Sequence, residues 1–312
     1  MRFPLEMPVG RKFDVFGFGT NAVDFLITVP EFPSFASKAE LSRYTRAAGG
    51  EVATTMVGLQ RLGMRTSYAG RFGADDAGEF GMKSLNEENV DLQYSEKISG
   101  AETQIAFIVI DERTGERTVI WKRDEKLGFS ESEAPLKGVD GCRILHMTPH
   151  DTKACISLAK RARDLNVRVS LDIDNIFDGV DELLPLVDIL AVSSEFPKKL
   201  LGIDDYETAL QETRRRFGNA LIAITLGNHG SVAISGDQII ETKGFDVPGG
   251  CKDTTGAGDA FRAGLLYGLL SRKTVEESLK MANAVAVLKC RAVGARTSLP
   301  TPTELNGFLK KA

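Results

Sequence analysis

The sequence predicts an α/β protein: a mainly parallel sheet covered by helices, with a small β-sheet lid. Three observations predict it. Short β-branched runs alternate with amphipathic stretches along most of the 312 residues. Two segments break that alternation by placing strand directly after strand. A small-residue loop, Asp253-Thr254-Thr255-Gly256-Ala257-Gly258-Asp259, runs straight into an apolar helical stretch, as a ligand-side turn of such a sheet does.

Strands of the main sheet are expected at Phe13 to Phe18, Thr66 to Gly70, Arg143 to Met147, Arg168 to Asp172, Asp188 to Val192 and Leu221 to Leu226. Helices are expected at Glu51 to Leu62, Asp76 to Glu88, Thr152 to Leu165, Tyr206 to Phe217, Ala257 to Leu270 and Val275 to Arg291. The paired strands are Phe25 to Val29 with Glu40 to Arg46, and Thr103 to Asp111 with Arg117 to Arg123 across the turn Glu112-Arg113-Thr114-Gly115. Together they predict one small sheet standing over the strand ends as a lid, with an outer face suited to a homodimer contact. The expected division is a core of 12–24, 47–102 and 124–312 and a discontinuous lid of 25–46 and 103–123.

Composition narrows the partners. The 39 basic and 43 acidic residues leave a net charge of −4, with neither sign collected into a block, which argues against nucleic acid or an anionic membrane as partner. Leu183 to Val192, the most apolar run, is interrupted by Asp188 and falls short of the ~20 residues of a span. Pro4, Glu6 and Pro8 break the N-terminal segment where a signal peptide needs apolar continuity, so a cytoplasmic location is expected. Cys142, Cys155, Cys251 and Cys290 are dispersed without a C-x-x-C pair and read as reduced thiols rather than a disulfide or zinc framework. His146 and His150 have helical spacing, but Pro149 stands between them.

The loop from Asp253 to Asp259 carries the chemistry. Gly256 and Gly258 remove side chains where a phosphate must approach, and the N–H groups of Gly256, Ala257 and Gly258 at the helix start form an anion hole. Asp259 lies in that first turn, where the helix dipole favours its ionised form, and is the candidate base for a hydroxyl attacking a phosphoryl group. An isolated G-x-G-D would read as a helix cap; the nine-residue context through Ala260-Phe261 favours the functional reading.

These residues resemble the C-terminal signature D-T-x-G-A-G-D of the ribokinase-like (PfkB) family of carbohydrate kinases. The resemblance extends to Gly49-Gly50 with the helix ending Arg61-Leu62-Gly63, to the block Ala69 through Glu79 followed by Asn89-Val90-Asp91, and to the loop Thr225-Leu226-Gly227-Asn228-His229-Gly230. It implies the ribokinase-like three-layer α/β/α fold and an ATP-dependent transfer to a hydroxymethyl group of a small sugar. Under it, Thr225, Gly227, Gly230 and Asn283 bind ATP, although 225–230 also reads as a strand-to-strand turn and Asn283 as a solvent-facing residue. Asp24, Gly49 and Gly50 bind the sugar, against the plainer readings of a strand-end charge and a turn before a helix. The implied cofactor is Mg2+, with ATP as co-substrate, and K+ is admitted as a monovalent cation.

Two departures qualify the likeness. Thr54 occupies the place of a sugar-contacting Asn, and Val192-Ser193-Ser194-Glu195-Phe196 replaces the N-x-x-E element that orders magnesium-bound water, leaving Glu195 shifted by one. With the tail Ala286 to Arg291, the Thr54 variant resembles the ketohexokinase, fructokinase and sulfofructose kinase side of the family, so a ketohexose such as fructose is the expected acceptor. Ribose, 2-keto-3-deoxygluconate and nucleosides are the alternatives. Lys38, Lys122 and Arg123 fall on the lid or its edges, and Lys38 is kept as a substrate candidate although edge-strand charge explains all three.

Phe16 to Ala22 contains G-x-G-x-x-A, but Val23 to Pro33 is β-branched and holds prolines where a dinucleotide fold needs a helix. The P-loop motif G-x-x-x-x-G-K-[ST] is absent from the sequence. A sugar- or nucleotide-binding regulator without catalysis is the competing class, suggested by the altered magnesium element and opposed by Asp259.

Overall fold

The computed structural model of the chain describes residues 1–311. Its strands are β1 (Val15–Phe18), β2 (Ala22–Val29), β3 (Arg43–Gly49), β4 (Thr66–Ala69), β5 (Arg71–Gly73), β6 (Glu96–Ile98), β7 (Ile105–Asp111), β8 (Arg117–Lys122), β9 (Ile144–Met147), β10 (Arg168–Ile173), β11 (Ile189–Ser193), β12 (Leu221–Thr225), β13 (Gly230–Ser235) and β14 (Gln238–Lys243). Eight of them form one sheet in the order β14-β13-β12-β11-β10-β9-β1-β4. From β4 to β12 it is parallel; β13 and β14 add an antiparallel edge.

Strands β9 to β12 are apolar on both faces because helices cover both sides. One apolar layer joins the sheet to the helices Glu51–Arg61, Ala257–Leu270 and Val275–Lys289; the other joins it to Thr152–Asp164 and Tyr206–Phe217. This is a ribokinase-like three-layer α/β arrangement. The six predicted strands and six predicted helices all form, with ends shifted by at most two residues. The predicted β2 and β3 also form, each shifted further than this at its start.

The sequence reading misses the β13–β14 hairpin, the two-stranded β5–β6 sheet and the short helices Phe196–Leu201 and Pro302–Leu309. Thr225 to Gly230 is indeed a strand-to-strand turn, joining antiparallel β12 and β13.

The second sheet has the order β3-β2-β7-β8, with β2 and β7 parallel and both outer pairs antiparallel. Register puts Asp24, Ala47, Ala106 and Trp121 on one face and Phe25, Arg46, Phe107 and Ile120 on the other. The inner face buries Leu26, Ala106, Ile108 and Ile110. The turn at Gly115 is tied to the core: Thr254 N–H donates to Gly115 O at 3.3 Å, and Arg117 Nη1 donates to Thr254 Oγ1 at 2.7 Å.

The Ala257–Leu270 helix is buried along almost its whole length, and it packs main chain to main chain against Val275–Lys289. A Cβ on Gly264 would stand 2.7 Å from Ala282 Cα, so only glycine lets the two axes approach this closely. Gly264→Leu is expected to lower stability by about 3 kcal/mol or more, read as an earlier urea midpoint; an unchanged midpoint would show that the packing tolerates separation.

Candidate active site

The carboxyl ends of β1, β10, β11 and β12 converge with the N-termini of the Glu51–Arg61 and Ala257–Leu270 helices at one edge of the main sheet. In a parallel sheet this edge is where ligands collect, because helix dipoles and free N–H groups point there. The Ala257–Leu270 helix begins at Gly256, whose φ of 77° is left-handed, and no side chain caps it.

The free groups are not quite those expected. Ala257 N–H donates to Thr254 O at 3.1 Å and is already engaged. Among the described residues the N–H groups of Gly256, Gly258 and Asp259 have no acceptor, and the buried Thr255 hydroxyl has no partner. The N–H groups left free at this helix start are therefore those of Gly256, Gly258 and Asp259, with Ala257 spent on closing the turn.

Asp253 shapes this loop from below. Fully buried, its carboxylate accepts N–H groups of Thr255 and Gly294, each at 2.8 Å. Lys289, also fully buried, donates to Asp253 O at 2.7 Å and stands 3.8 Å from its carboxylate. Sequence reasoning missed Lys289, although a lysine directly following the apolar run Ala284 to Leu288 on the same helix is the kind of charge that, once buried, demands a partner.

Asp259 is half-buried in the first helical turn. The helix dipole does not decide its ionisation as expected. Burial, then Asp172 and Glu51, push its carboxyl well above the usual range, opposed by Arg262 and Arg117. Glu51 opens the neighbouring helix, accepts from Thr20 Oγ1 at 3.0 Å, and is itself raised by burial and Asp174. Neither Glu51 nor Asp172 figured among the expected site residues.

Asp24 faces the same cleft from β2 and is 4 % exposed. Burial raises its carboxyl to about 7 against the pull of Arg296. A Cβ on Gly49 would collide with that carboxylate, and Gly50 has φ of 89° with Asn21 main chain against it; close approach, not a generic turn, demands this glycine pair. Arg117 and Arg296 act on both Asp24 and Asp259, which places the two carboxyls in one cleft.

Thr54 does not present itself to this cleft. It is fully buried, and its hydroxyl accepts from Arg296 Nε at 3.3 Å. Arg296 also donates to Ser84 Oγ at 2.8 Å and to Gly49 O, so the guanidinium rather than Thr54 floors the pocket. Lys38 is exposed in the connection between β2 and β3. Arg123 is pinned to Asp151 at 2.8 Å, and Lys122 pairs with Glu102 at 2.6 Å.

Further along this edge Thr225 ends β12 beside Ser193 of β11, and Gly227 and Gly230 take positive φ of 60° and 100°. A Cβ on Gly230 would strike the main chain of β14. Asn283 is buried, its amide donating to Thr242 Oγ1 at 3.0 Å and to two carbonyls of β14; it braces that strand instead of facing solvent.

Among the described residues no group of three side chains is arranged to hold a metal ion. Glu195 and Asp174 are exposed carboxylates at this edge without an ion pair among the described residues. Such a donor set fits Mg2+, which keeps several waters and binds phosphate oxygens with one or two carboxylates.

A family model described as pfkB family carbohydrate kinase matches residues 12–302. The chain belongs to the pfkB family of carbohydrate kinases. This pfkB kinase is 29 % identical to fructokinase-1 of Zea mays, covering 98 % of this chain and 100 % of the relative. It is 28 % identical to ribokinase of Haemophilus influenzae, covering 94 % and 97 %. Its fold matches the structure of Arabidopsis thaliana ribokinase complexed with ribose and ATP at a TM-score of 0.80, with 23 % identity and 96 % and 99 % coverage. It is a phosphotransferase acting on sugars. Among the described residues no helix is long and apolar enough to cross a membrane.

The fold also brings together two cysteines that sequence spacing kept apart. Lys252 N–H donates to Cys290 O at 2.9 Å, the Cys290 thiol donates to Ala286 O at 3.3 Å, and the neighbouring Cys290 sulfur, with Lys289, draws Cys251 down to about 7. Cys251 is partly exposed whereas burial pushes Cys142 and Cys155 up. At neutral pH Cys251 is expected to be the first thiol alkylated by iodoacetamide, as read by peptide mass; Cys142 reacting first would contradict the pairing.

The Asp24 shift has a consequence for stability. Its folded-state affinity for a proton exceeds that of the unfolded chain, so raising the pH from about 4 to about 7 removes that proton at a cost to the fold. Asp24→Asn is expected to flatten this part of the melting-temperature profile; an unaltered slope would place the titration elsewhere.

Proposed function

We propose that the chain transfers the γ-phosphoryl group of ATP to the hydroxymethyl group of a ketohexose such as fructose. The observation that carries the transfer is the row of N–H groups without a protein acceptor at Gly256, Gly258 and Asp259 beside the Asp259 carboxyl, with Asp24 sharing the influence of Arg117 and Arg296. Relatives named fructokinase over nearly the full length support the acceptor class.

In this reading Asp24 accepts hydrogen bonds from sugar hydroxyls, with main chain at Gly49 close enough to join it. Asp259 takes the proton of the attacking hydroxyl as its oxygen bonds to the γ-phosphorus. The bond from that phosphorus to the bridging oxygen breaks, and ADP leaves. Burial and the neighbouring carboxyls of Asp172 and Glu51 raise the proton affinity of Asp259, the direction a general base needs. Developing charge on the phosphoryl oxygens falls on the free N–H groups. Glu195 and Asp174 would hold Mg2+, which would supply charge neutralisation of the phosphates. Thr225, Gly227 and Gly230 lie along the adenosine side, with Asn283 keeping β14 in place for it.

A second acceptor is favoured by one feature. Trp121, 57 % exposed on the inner face of the lid, stands edge-on to His150 with ring centroids 6.4 Å apart, and His150 stands 5.1 Å from Phe177. That row of rings suits the planar face of a nucleoside base. The outer lid face bears Tyr44, Phe107 and Ile120, 55 %, 43 % and 62 % exposed, with Phe25 and Phe107 stacked at 5.1 Å. Such an apolar face supports a homodimer through the lid, tested by light scattering of the intact chain.

ATP consumption over a panel of ketohexoses, ribose, 2-keto-3-deoxygluconate and nucleosides tests the substrate reading. Turnover greatest on fructose is expected, and a nucleoside preferred over every hexose would overturn it. Asp259→Asn is expected to fold and bind ATP while turnover falls by a factor of about 100 or more; near-normal turnover would place the base elsewhere.

A further inference from the structure

The helix start at Gly256 to Asp259 has a neighbour that the family signature does not include. Arg262 lies four residues after Gly258 on the same helix. Helical side chains lean toward the N-terminus, so its guanidinium lands beside the residue one turn back. The structure shows this contact: a Cβ on Gly258 would collide with Arg262 Nη1. Gly258 is therefore required both for a phosphate to approach the main chain and for the guanidinium to reach the same place.

Arg262 is 6 % exposed and anchored on one side only. Its Nη2 is paired with Asp172 at the end of β10 and donates to Ala191 O of β11 at 3.3 Å. Its Nε is buried with no partner. A guanidinium has five N–H donors, and a buried one without an acceptor is costly, the more so on a charged group. A charge fixed at Nη2, with Nη1 against Gly258 and Nε unsatisfied, is arranged as a site for an anion that arrives later.

We propose that Arg262 is a catalytic residue of the transfer: its guanidinium, held by Asp172 and Ala191 O, donates to the γ-phosphoryl group alongside the N–H groups of Gly256, Gly258 and Asp259. This rests on the kinase reading above and adds a residue to it. Charge that builds on the phosphoryl oxygens meets a preorganised cation in a half-buried cleft, where such a donor acts more strongly than in water. Asp172 fixes the guanidinium plane and also limits the net positive charge in the absence of nucleotide.

Removing Arg262 alone would leave Asp172 buried without a counter-charge, so the test uses Arg262→Gln and the double variant Asp172→Asn/Arg262→Gln, which removes both charges. Turnover is measured on the best acceptor from the panel, and affinities for ADP and a non-hydrolysable ATP analogue by calorimetry. Both variants are expected to lose about 100-fold in kcat with acceptor KM unchanged. Both should also lose the preference for the ATP analogue over ADP, and guanidinium ion added below denaturing concentrations should partly restore turnover.

Recovery of kcat in the double variant would reduce Arg262 to a counter-ion for Asp172 and overturn the proposal. So would an intact analogue preference in either variant. If the unaltered chain phosphorylates nothing in the panel, the kinase reading fails by itself, while the analogue and ADP affinities still decide whether Arg262 meets a γ-phosphate.

Discussion

The site depends on a buried charge pair that never touches a ligand. Asp253 and Lys289 have no solvent exposure, and between them they fix the loop whose N–H groups must point into the cleft. Two ions are costly to bury, and the cost is offset only when each finds its partners. Here Asp253 finds N–H groups on both sides of the loop and Lys289 finds its carbonyl. Geometry that would otherwise be loop-like is thereby held as rigidly as the core, which preorganised charge stabilisation requires.

The same loop is where the lid meets the core. Thr254, next to Asp253, bonds Gly115 in the turn between β7 and β8, and Arg117 reaches back to the Thr254 hydroxyl. Arg117 also acts on both Asp24 and Asp259. The second sheet and the Asp24 and Asp259 carboxyls are thus linked through one arginine and one threonine. Glu51, Asp172 and Asp259 crowd one another with like charge, held by Arg262 and Arg117. Like charges gathered in this way raise proton affinity.

Much of this was legible in the sequence because it is local. Period-two and period-3.6 patterns identified the strands and helices, and Gly256-Ala257-Gly258-Asp259 announced a helix start built for an anion. The β13–β14 hairpin was missed although its pairing is local: the two strands turn across Gly236-Asp237, a two-residue hairpin signal that stands in the sequence. Thr54 and Asn283 were placed by position in a motif, yet what their polar atoms do is set by Arg296 and by β14, which are distant in sequence. The ionisation of Asp259 was misjudged for the same reason: the dipole is local, whereas Asp172 and Glu51 arrive from other elements. Arg262 and Lys289 did leave a trace, each a charge within or directly after an otherwise apolar helical run, and such a residue is worth treating as a member of a site.

The central claim is that main-chain N–H groups at the entrance of the Ala257–Leu270 helix hold the migrating phosphoryl group beside Asp259. A crystal structure with ADP, aluminium fluoride and the preferred acceptor tests it most directly. The account predicts the fluoride within about 3 Å of Gly256 and Gly258 nitrogens, with the acceptor oxygen between it and the Asp259 carboxyl. Nucleotide phosphates bound away from that helix entrance, or an acceptor oxygen facing another base, would contradict it.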